Sequence, residues 1–279
     1  MRITIATCKK FPDLTPSDAI LAEALRARGV EVSSAPWNGA FAPFGDADLV
    51  LIRTTWDYFD VVDEFSAWID RLEKTTPVLN PPDILHWNMT KAYLFELAER
   101  SAPVPPLIRV ARDADAIAGA MDTLGLEEAI VKPLAGGTAS GLSKVRRDDG
   151  EGLARAAAKL NGDGLVQAFL PEIATIGETS MVFLGGEFSH AVVKMPKSGD
   201  IRVQEEHGGT SRALTPPAWA IAEARDILAM CPGKTAYGRV DAIVYKDRMS
   251  LMEVELVEPE LFFAYCPEGA VRLAGILAG

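Results

Sequence analysis

Apolar and polar positions in the first part of the chain alternate in a way that predicts strands separated by helices. RITIATC is predicted to be a strand, PSDAILAEALRARGV a helix that stops at Gly29, and EVSSAPW and ADLVLIRTTWDY two further strands. Continuous apolar strands separated by helices are typical of a parallel sheet covered on its faces. The pattern therefore predicts an α/β lobe with a parallel sheet over residues 1–88.

The third predicted strand of this lobe runs directly into polar and aromatic residues. Ligands gather at the carboxyl ends of parallel strands, where Arg53, Thr54, Trp56 and Asp57 fall. These residues are therefore substrate-site candidates. Arg and Trp also anchor contacts between lobes, so packing is an equally good explanation of the same residues.

A different pattern begins after a proline-punctuated connection near residue 81. The amphipathic helix KAYLFELAERSAPVPP leads into short strands and helices as far as LVQAFL, which predicts an α+β lobe over residues 89–170, with the helix as its linker. Two hairpins, TSMVFLGGEFSHAVVKMP and GRVDAIVY with SLMEVELV, flank a helix and predict another α+β lobe over residues 171–279.

The last hairpin carries acidic residues on strands that are otherwise apolar. Pairing about Asp247 places Asp241 opposite Glu253 and Arg239 opposite Glu255. Facing carboxylates repel each other, and Mg²⁺, or Mn²⁺ in its place, would offset that repulsion if Asp241, Glu253 and Glu255 were its ligands. The alternative is a solvated face with an Arg239–Glu255 ion pair.

The alternation of side chains along this strand separates its two faces. Glu253 and Glu255 are predicted to share the acidic face, and Met252, Val254 and Leu256 the opposite, apolar face.

A glycine-rich loop follows the predicted strand EEAIVKPL. Backbone N–H groups and hydroxyls of such a loop can turn toward phosphate oxygens, and the residues concerned are Gly136, Gly137, Thr138, Ser140 and Gly141. A P-loop is excluded because Leu142 stands where that motif requires lysine. Lys132 at the strand end and Lys91 near a helix start could add point charges for phosphates. Without these lysines, a flexible hairpin connection would explain the loop equally well.

These segments occur in an order that resembles the ATP-grasp ligases. The likeness rests on Lys91, VKPLAGGTASG, VQAFLPEIATIGETSMVF, RVQEEHGG, Asp241 and MEVEL, and spans roughly residues 80–265. It includes relatives of bacterial glutathione synthetase, the ribosomal-protein glutamate ligase and cycloserine-forming cyclases. The resemblance implies an ATP-grasp fold, with a Rossmann-like N-terminal substrate lobe and two α+β lobes that clasp ATP.

The resemblance also implies roles for the matching nucleotide-site residues. Lys91 and Lys132 would bind the phosphates, GGTASG would close over them, and Glu178 would hold ribose. Adenine would be bonded by the backbone of four consecutive residues: Gln167, Ala168, Phe169 and Leu170.

The same resemblance extends to the reacting groups. Arg202 would act with Lys132 in catalysis at the acyl-phosphate position, and Lys194 is a weaker candidate there. Asp241 and Glu253 occupy metal-ligand positions, and Glu255 stands where the family commonly has asparagine.

Four more residues remain as substrate candidates. His207, followed by Gly208 in a polar loop, could be a general base, with loop structure as the alternative. Glu258 lies just beyond the metal strand and could face a substrate amino group, as could Glu260 on the other side of Pro259, with a solvated turn as the alternative for both.

The function implied is an ATP-dependent ligase that joins a carboxylate and an amine through an acyl phosphate on a small, amino-acid-like substrate. Two alternatives remain open. The same chemistry could close one molecule into a ring, as in the cycloserine-forming relatives, or the chain could bind nucleotide without catalysis. Related ligases imply a homodimer or homotetramer.

Composition excludes several other classes of partner. The net charge of −11 and the pI near 4.9 disfavour nucleic acid and anionic membranes. Three scattered cysteines give neither a disulfide framework nor a zinc site, and no long apolar segment predicts a leader or a membrane span. A cytoplasmic enzyme is therefore expected.

Overall fold

Three β-sheets organise the chain, and the computed structural model describes all residues, 1–279. The strands are β1 (Arg2–Thr7), β2 (Glu31–Pro36), β3 (Leu49–Ile52), β4 (Val78–Leu79), β5 (Leu107–Val110), β6 (Glu128–Pro133), β7 (Ser143–Arg146), β8 (Gly164–Ala168), β9 (Glu178–Leu184), β10 (Glu187–Met195), β11 (Thr210–Leu214), β12 (Tyr237–Tyr245) and β13 (Arg248–Glu255). The helices are α1 (Pro16–Arg26), α2 (Ala42–Gly45), α3 (Val62–Glu73), α4 (Pro82–Asn88), α5 (Tyr93–Glu99), α6 (Ala114–Leu124), α7 (Gly150–Lys159), α8 (Ile173–Ile176), α9 (Ala218–Ala229) and α10 (Pro267–Ala278).

The first sheet is parallel, as the sequence pattern predicts, with strand order β2-β1-β3-β4. Its central strands are buried on both faces, which is why their sequences are continuously apolar. Helix α1 begins at Pro16, where the Thr15 side chain accepts a hydrogen bond from the backbone N–H of Asp18. The helix thereby brings the Asp18 carboxylate under the end of β3.

The second sheet is antiparallel, with order β5-β8-β6-β7, and helices α6 and α7 pack on one of its faces. Helix α6 starts at the Asp113 cap and ends at Gly125, whose positive φ terminates the helix. The opposite face of this sheet carries Ile130 and Lys132 toward the centre of the molecule. The third sheet, also antiparallel, has order β11-β10-β9-β12-β13.

The β12–β13 hairpin has the two predicted pairs, Asp241 opposite Glu253 and Arg239 opposite Glu255. Closer to the turn, however, Ala242 pairs with Leu251, so Met252 is an extra residue in the ladder. This bulge overturns the prediction that Met252 shares a face with Val254 and Leu256. Met252 instead points to the same side as Glu253, because the bulge interrupts the alternation.

Other elements also differ from the sequence pattern. The proline-punctuated connection contains helix α4, and part of the polar loop before α9 forms the edge strand β11. Helix α10 packs against α1 in the core beneath the first sheet, although it lies at the far end of the sequence. None of the helices has the length and apolar character needed to cross a lipid bilayer.

Asn80 joins the first lobe to the last hairpin and is fully buried. Its side-chain Nδ2 donates to the carbonyls of Tyr237 at 2.9 Å and Leu256 at 2.7 Å, and its Oδ1 accepts from the backbone N–H of Ala236 at 2.7 Å. We expect Asn80→Ala to lower the free energy of unfolding by about 2 to 3 kcal/mol, because three buried backbone groups would lose their partner. Urea denaturation measures this change.

Asn161→Ala is the matched control, because the amide of Asn161 is exposed and its two contacts, at 3.4 and 3.2 Å, are long. It should change the free energy of unfolding by less than about 1 kcal/mol. Equal losses for the two variants would contradict the role given to Asn80.

Candidate active site

A cavity of about 600 Å³ lies where the three sheets meet. Its walls come from β6 and the glycine-rich loop on one side, from β12 and β13 on another, and from the segments around Ser17 and Trp56 in the first lobe. The size suits a nucleotide-sized ligand or several small ones.

Two lysines approach one carboxylate on the cavity wall. The Nζ atoms of Lys91 and Lys132 lie 3.6 and 3.4 Å from Oε1 of Glu253. Burial lowers the pKa of Lys132, an effect that Glu253 partly offsets, and the same two lysines hold the pKa of Glu253 below its usual value despite burial. Two buried cations share one carboxylate, so this wall can accept further negative charge.

Asp241 is at the centre of a second charged cluster. Its Oδ1 accepts from Ser180 Oγ at 2.6 Å and Arg239 Nε at 2.8 Å, and its Oδ2 from Lys194 Nζ at 3.1 Å and Arg239 Nη2 at 2.8 Å. A carboxylate has about four acceptor positions, so all those of Asp241 are used. Burial opposes ionisation, but Arg239 and Lys194 outweigh it and hold the pKa of Asp241 well below its usual range.

Glu178 and Glu255 are the outer members of this cluster. Glu178 lies 2.6 Å from Lys194 Nζ, and Glu255 accepts from Arg239 Nη2 at 2.5 Å. Burial raises the pKa of both carboxyls, that of Glu255 to about 7, although the paired cations oppose the shift. The Arg239–Glu255 pair expected as the alternative to metal binding is therefore present.

Apolar side chains line the part of the cavity next to Met252 of β13, and this part is called the apolar slot. Met252, placed there by the bulge, packs near Ile173, Val203 and Ile243. Ile130, Phe169 and Leu170 complete the walls. A flat aromatic ring such as a nucleobase fits a slot of this composition.

The glycine-rich loop is held by contacts to both other lobes. A side chain at Gly137 would place its Cβ 2.2 Å from the ring of Phe59, so only glycine allows this approach. His207 Nε2 lies 3.1 Å from the carbonyl oxygen of Thr138. Lys91 also donates to the carbonyl of Gly136. The loop therefore covers the lysine end of the cavity.

Arg202 lines the cavity but has an acidic partner of its own. Its Nη2 donates to Asp200 Oδ2 at 2.7 Å, and its Nε also contacts the same carboxylate. Hydrogen bonds from Arg202 hold the pKa of Asp200 well below its usual range. The side chain of Arg202 remains over a third exposed.

The end of the cavity nearest the first lobe is acidic and aromatic. Trp56 Nε1 donates to the carbonyl of Glu258 at 3.1 Å, and the Glu258 side chain lines the cavity beside Tyr58. Burial, reinforced by the charge of Glu255, raises the pKa of Glu258 to about 8.

Most of the predicted site residues line this one cavity. They are Trp56, Lys91, Lys132, Gly136, Gly137, Thr138, Ser140, Ala168, Phe169, Leu170, Glu178, Arg202, Asp241, Glu253, Glu255 and Glu258. Asp241, Glu253 and Glu255 do not converge as a preformed three-carboxylate metal centre, because each is already bonded to cationic side chains.

Three of the strand-end candidates are not on the cavity wall. Arg53 is buried and donates to Asp18 Oδ1 at 2.7 Å and to the carbonyl of Pro259 at 2.7 Å. Thr54 donates to the other oxygen of Asp18, and Asp57 accepts from Trp37 Nε1. These residues fix the local fold rather than face a substrate.

Four further candidates do not line the cavity. Gln167 is fully buried in the central strand β8, with neighbours on both sides, and lies off the wall. Gly141 turns the loop beneath Pro133, with φ of 72°. His207 contacts the loop carbonyl of Thr138, and Gly208 terminates its short helical turn, so neither reaches the cavity.

Several residues on or behind the wall carry little sequence signal. The position of Met252 on the cavity wall depends on the bulge, which the sequence pattern does not reveal. Tyr58 lies in an aromatic segment whose side chains pack mainly into the core. Asp18 lies 35 positions from Arg53 in an ordinary amphipathic helix. Only the polar character of Asp18 on a buried helix face could have signalled a partner.

The chain has the ATP-grasp fold, and its similarity to known proteins indicates an ATP-grasp ligase, an ADP-forming enzyme that uses ATP. Residues 97–229 match the family model of the prokaryotic glutathione synthetase ATP-grasp domain. Residues 3–80 match the model of the N-terminal domain of the D-cycloserine synthetase DcsG. The ATP-grasp segment of the chain is therefore similar to that of the prokaryotic glutathione synthetases.

Among individual proteins, the chain is 29% identical to the cycloserine biosynthesis protein DcsG of Streptomyces lavendulae, with 92% of this chain and 91% of that protein covered. The crystal structure of D-cycloserine synthetase DcsG superposes with a TM-score of 0.85 at 25% identity, covering 100% of this chain and 99% of that one. A D-alanine–D-alanine ligase from Bacillus anthracis, in complex with ATP, shares the fold at a TM-score of 0.69 and 16% identity, over 99% and 92% of the chains.

Proposed function

We propose that this enzyme uses ATP to phosphorylate the carboxylate of a small, amino-acid-like molecule, and that an amine then displaces phosphate to form an amide-type bond. The observation that carries the proposal is the polarity of the cavity. Lys91 and Lys132 lie beneath the glycine-rich loop, and Glu258 lies on the neighbouring wall that the first lobe contributes. Cationic groups for phosphate and a carboxyl for an amine therefore line the same cavity.

Different residues on the cavity walls would have different roles in this reaction. Lys91 and Lys132 would neutralise phosphate oxygens, and the backbone of the loop would cover them. The apolar slot around Met252 would hold adenine, with the segment from Ala168 to Leu170 as its edge. Arg202, if released from Asp200, presents a planar fork of donors to the charge that develops during acyl transfer.

Glu253 and Glu255 fit a Mg²⁺ ion better than Asp241 does. Both face the cavity and keep oxygen lone pairs that no cation occupies, whereas Asp241 would have to give up an existing hydrogen bond. When bound, Mg²⁺ supplies charge neutralisation for the phosphates. Arg239 would keep Glu255 oriented toward the cavity.

Ring closure of a single molecule is the second candidate. The match of residues 3–80 to a DcsG N-terminal domain favours it, because this lobe contributes the wall around Trp56 and Tyr58, next to Glu258. DcsG is named for the synthesis of a cyclic compound. If the same lobe shapes the acceptor end here, the carboxylate and the amine belong to one substrate.

ADP release in the presence of Mg²⁺ and ATP tests the function. The protein is assayed against pooled amino acids, dipeptides and small carboxylic acids, with Lys132→Ala as the blank. We expect at least one pool to stimulate ADP release above the blank. Stimulation by one compound would support ring closure, and stimulation that needs two would support intermolecular ligation. ATP binding with every pool silent would contradict the proposal and favour a nucleotide-binding role.

A further inference from the structure

Glu258 differs from the acidic residues of the two charged clusters on the cavity wall. Glu178, Asp241, Glu253 and Glu255 each have a lysine or arginine nitrogen within 4.0 Å. Glu258 is at least partly shielded from solvent and yet has no ion pair. Ionising a carboxyl in such a place has a cost, which is why its pKa is raised, and a ligand cation would offset that cost.

The neighbours of Glu258 do not remove this cost. The hydroxyl of Tyr58 is a hydrogen-bond partner of Glu258 but carries no charge, and Lys91 and Arg239 are nearby cations that form their ion pairs with other carboxylates. Glu255 adds negative charge but is already neutralised by Arg239. Glu260, two residues further on, has a partner of its own, because its Oε1 accepts from the backbone N–H of Phe262 at 2.7 Å.

The backbone that carries Glu258 is fixed in place. Trp56 Nε1 holds its carbonyl at 3.1 Å, Arg53 Nη2 holds the carbonyl of Pro259 at 2.7 Å, and Arg239 Nη1 holds that of Glu260 at 3.0 Å. Side chains from two lobes thus donate hydrogen bonds to the backbone carbonyls of three consecutive residues. These bonds fix the backbone at Glu258, and from this position its side chain lines the cavity.

We propose that Glu258 is the residue that binds the substrate's ammonium group and so restricts the enzyme to substrates with a free primary amine. This inference rests on the ligase function proposed above and deepens it. Trp56 and Tyr58 border the same spot and would pack against the carbon skeleton that carries the amine. Arg53 and Asp18 act through the backbone as positioning residues for Glu258.

The test compares three pools in the ADP-release assay: free L- and D-amino acids, the same compounds N-acetylated, and short carboxylic acids without an amine. Wild type should respond to the free amino acids alone. Glu258→Gln should raise the half-saturating concentration of the stimulating pool at least tenfold and leave the KM for ATP within about twofold. Glu258→Asp, which keeps the charge, should lose less.

Glu64→Gln is the matched control, because Glu64 is exposed on α3, away from the cavity and without an ion pair, and it should respond like wild type. Thermal melting confirms that each variant is folded. An unchanged half-saturating concentration in folded Glu258→Gln would overturn the inference. Stimulation of wild type only by compounds without a free amine would overturn it and leave the ligase function standing, whereas silence in all three pools would reject both.

Discussion

Lys132→Ala is expected to reduce ATP-dependent turnover by at least about 100-fold and to leave the fold intact. The Lys132 ammonium is one of two buried cations at the loop end of the cavity, and Lys91 alone would have to neutralise both Glu253 and an incoming phosphate. The remaining alkyl contacts of β6 preserve the sheet. Single-turnover ADP formation measures the loss, and circular dichroism with thermal melting reports the fold.

Lys159→Ala serves as the control, because Lys159 ends α7 at an exposed position with no ion pair. Its turnover should equal that of wild type. Turnover in Lys132→Ala within a few-fold of wild type would remove Lys132 from the phosphate site. A loss of turnover accompanied by loss of the folded state would assign Lys132 a structural role instead.

Asp241→Ala is expected to lower the free energy of unfolding by about 3 kcal/mol. Arg239 and Lys194 would both lose a buried carboxylate, although Glu255 and Glu178 would still pair with them. The remaining partners place the loss at the lower end of the range for a broken buried ion pair. The change is measured by urea denaturation at neutral pH.

Asp226→Ala, an exposed position on α9 without an ion pair, should change the same quantity by no more than about 0.5 kcal/mol. A loss below 1 kcal/mol in Asp241→Ala would show that its four hydrogen bonds contribute little. The cluster would then be a weakly held group of charges, and Asp241 would be free to rearrange toward a metal.

Local pattern was enough to predict those features that depend on neighbouring residues. Periodicity predicted the parallel first sheet, and strand alternation placed Glu253 and Glu255 on one face. The pairing of Asp241 with Glu253 was also correct, but for an incomplete reason. The turn is one residue shorter than predicted, which shifts the pairs next to the turn by one residue. The extra residue at the Met252 bulge reverses this shift, so the predicted and observed pairs agree only on the side of the bulge away from the turn.

Features that depend on distant partners could not be predicted in this way. Arg53 and Glu258 were both substrate candidates, yet Arg53 is buried in a pair with Asp18, and of the two only Glu258 lines the cavity. Whether a residue at a strand end is buried or faces the cavity depends on the groups that pack against it. Those groups belong to segments that are far away in the sequence. Gln167 is a similar case, since only the sheet order shows that its strand is central.

Helix α10 and the segment before it have a consequence for synthesis of the chain. Leu261, Phe263 and Leu273 share one core with Ile3 and Leu21, so residues of the first sheet and α1 are covered by residues that are translated much later. The apolar surface of the nascent first sheet must therefore stay open during translation until α10 has been made. Chaperone demand during translation should fall only once α10 has been released.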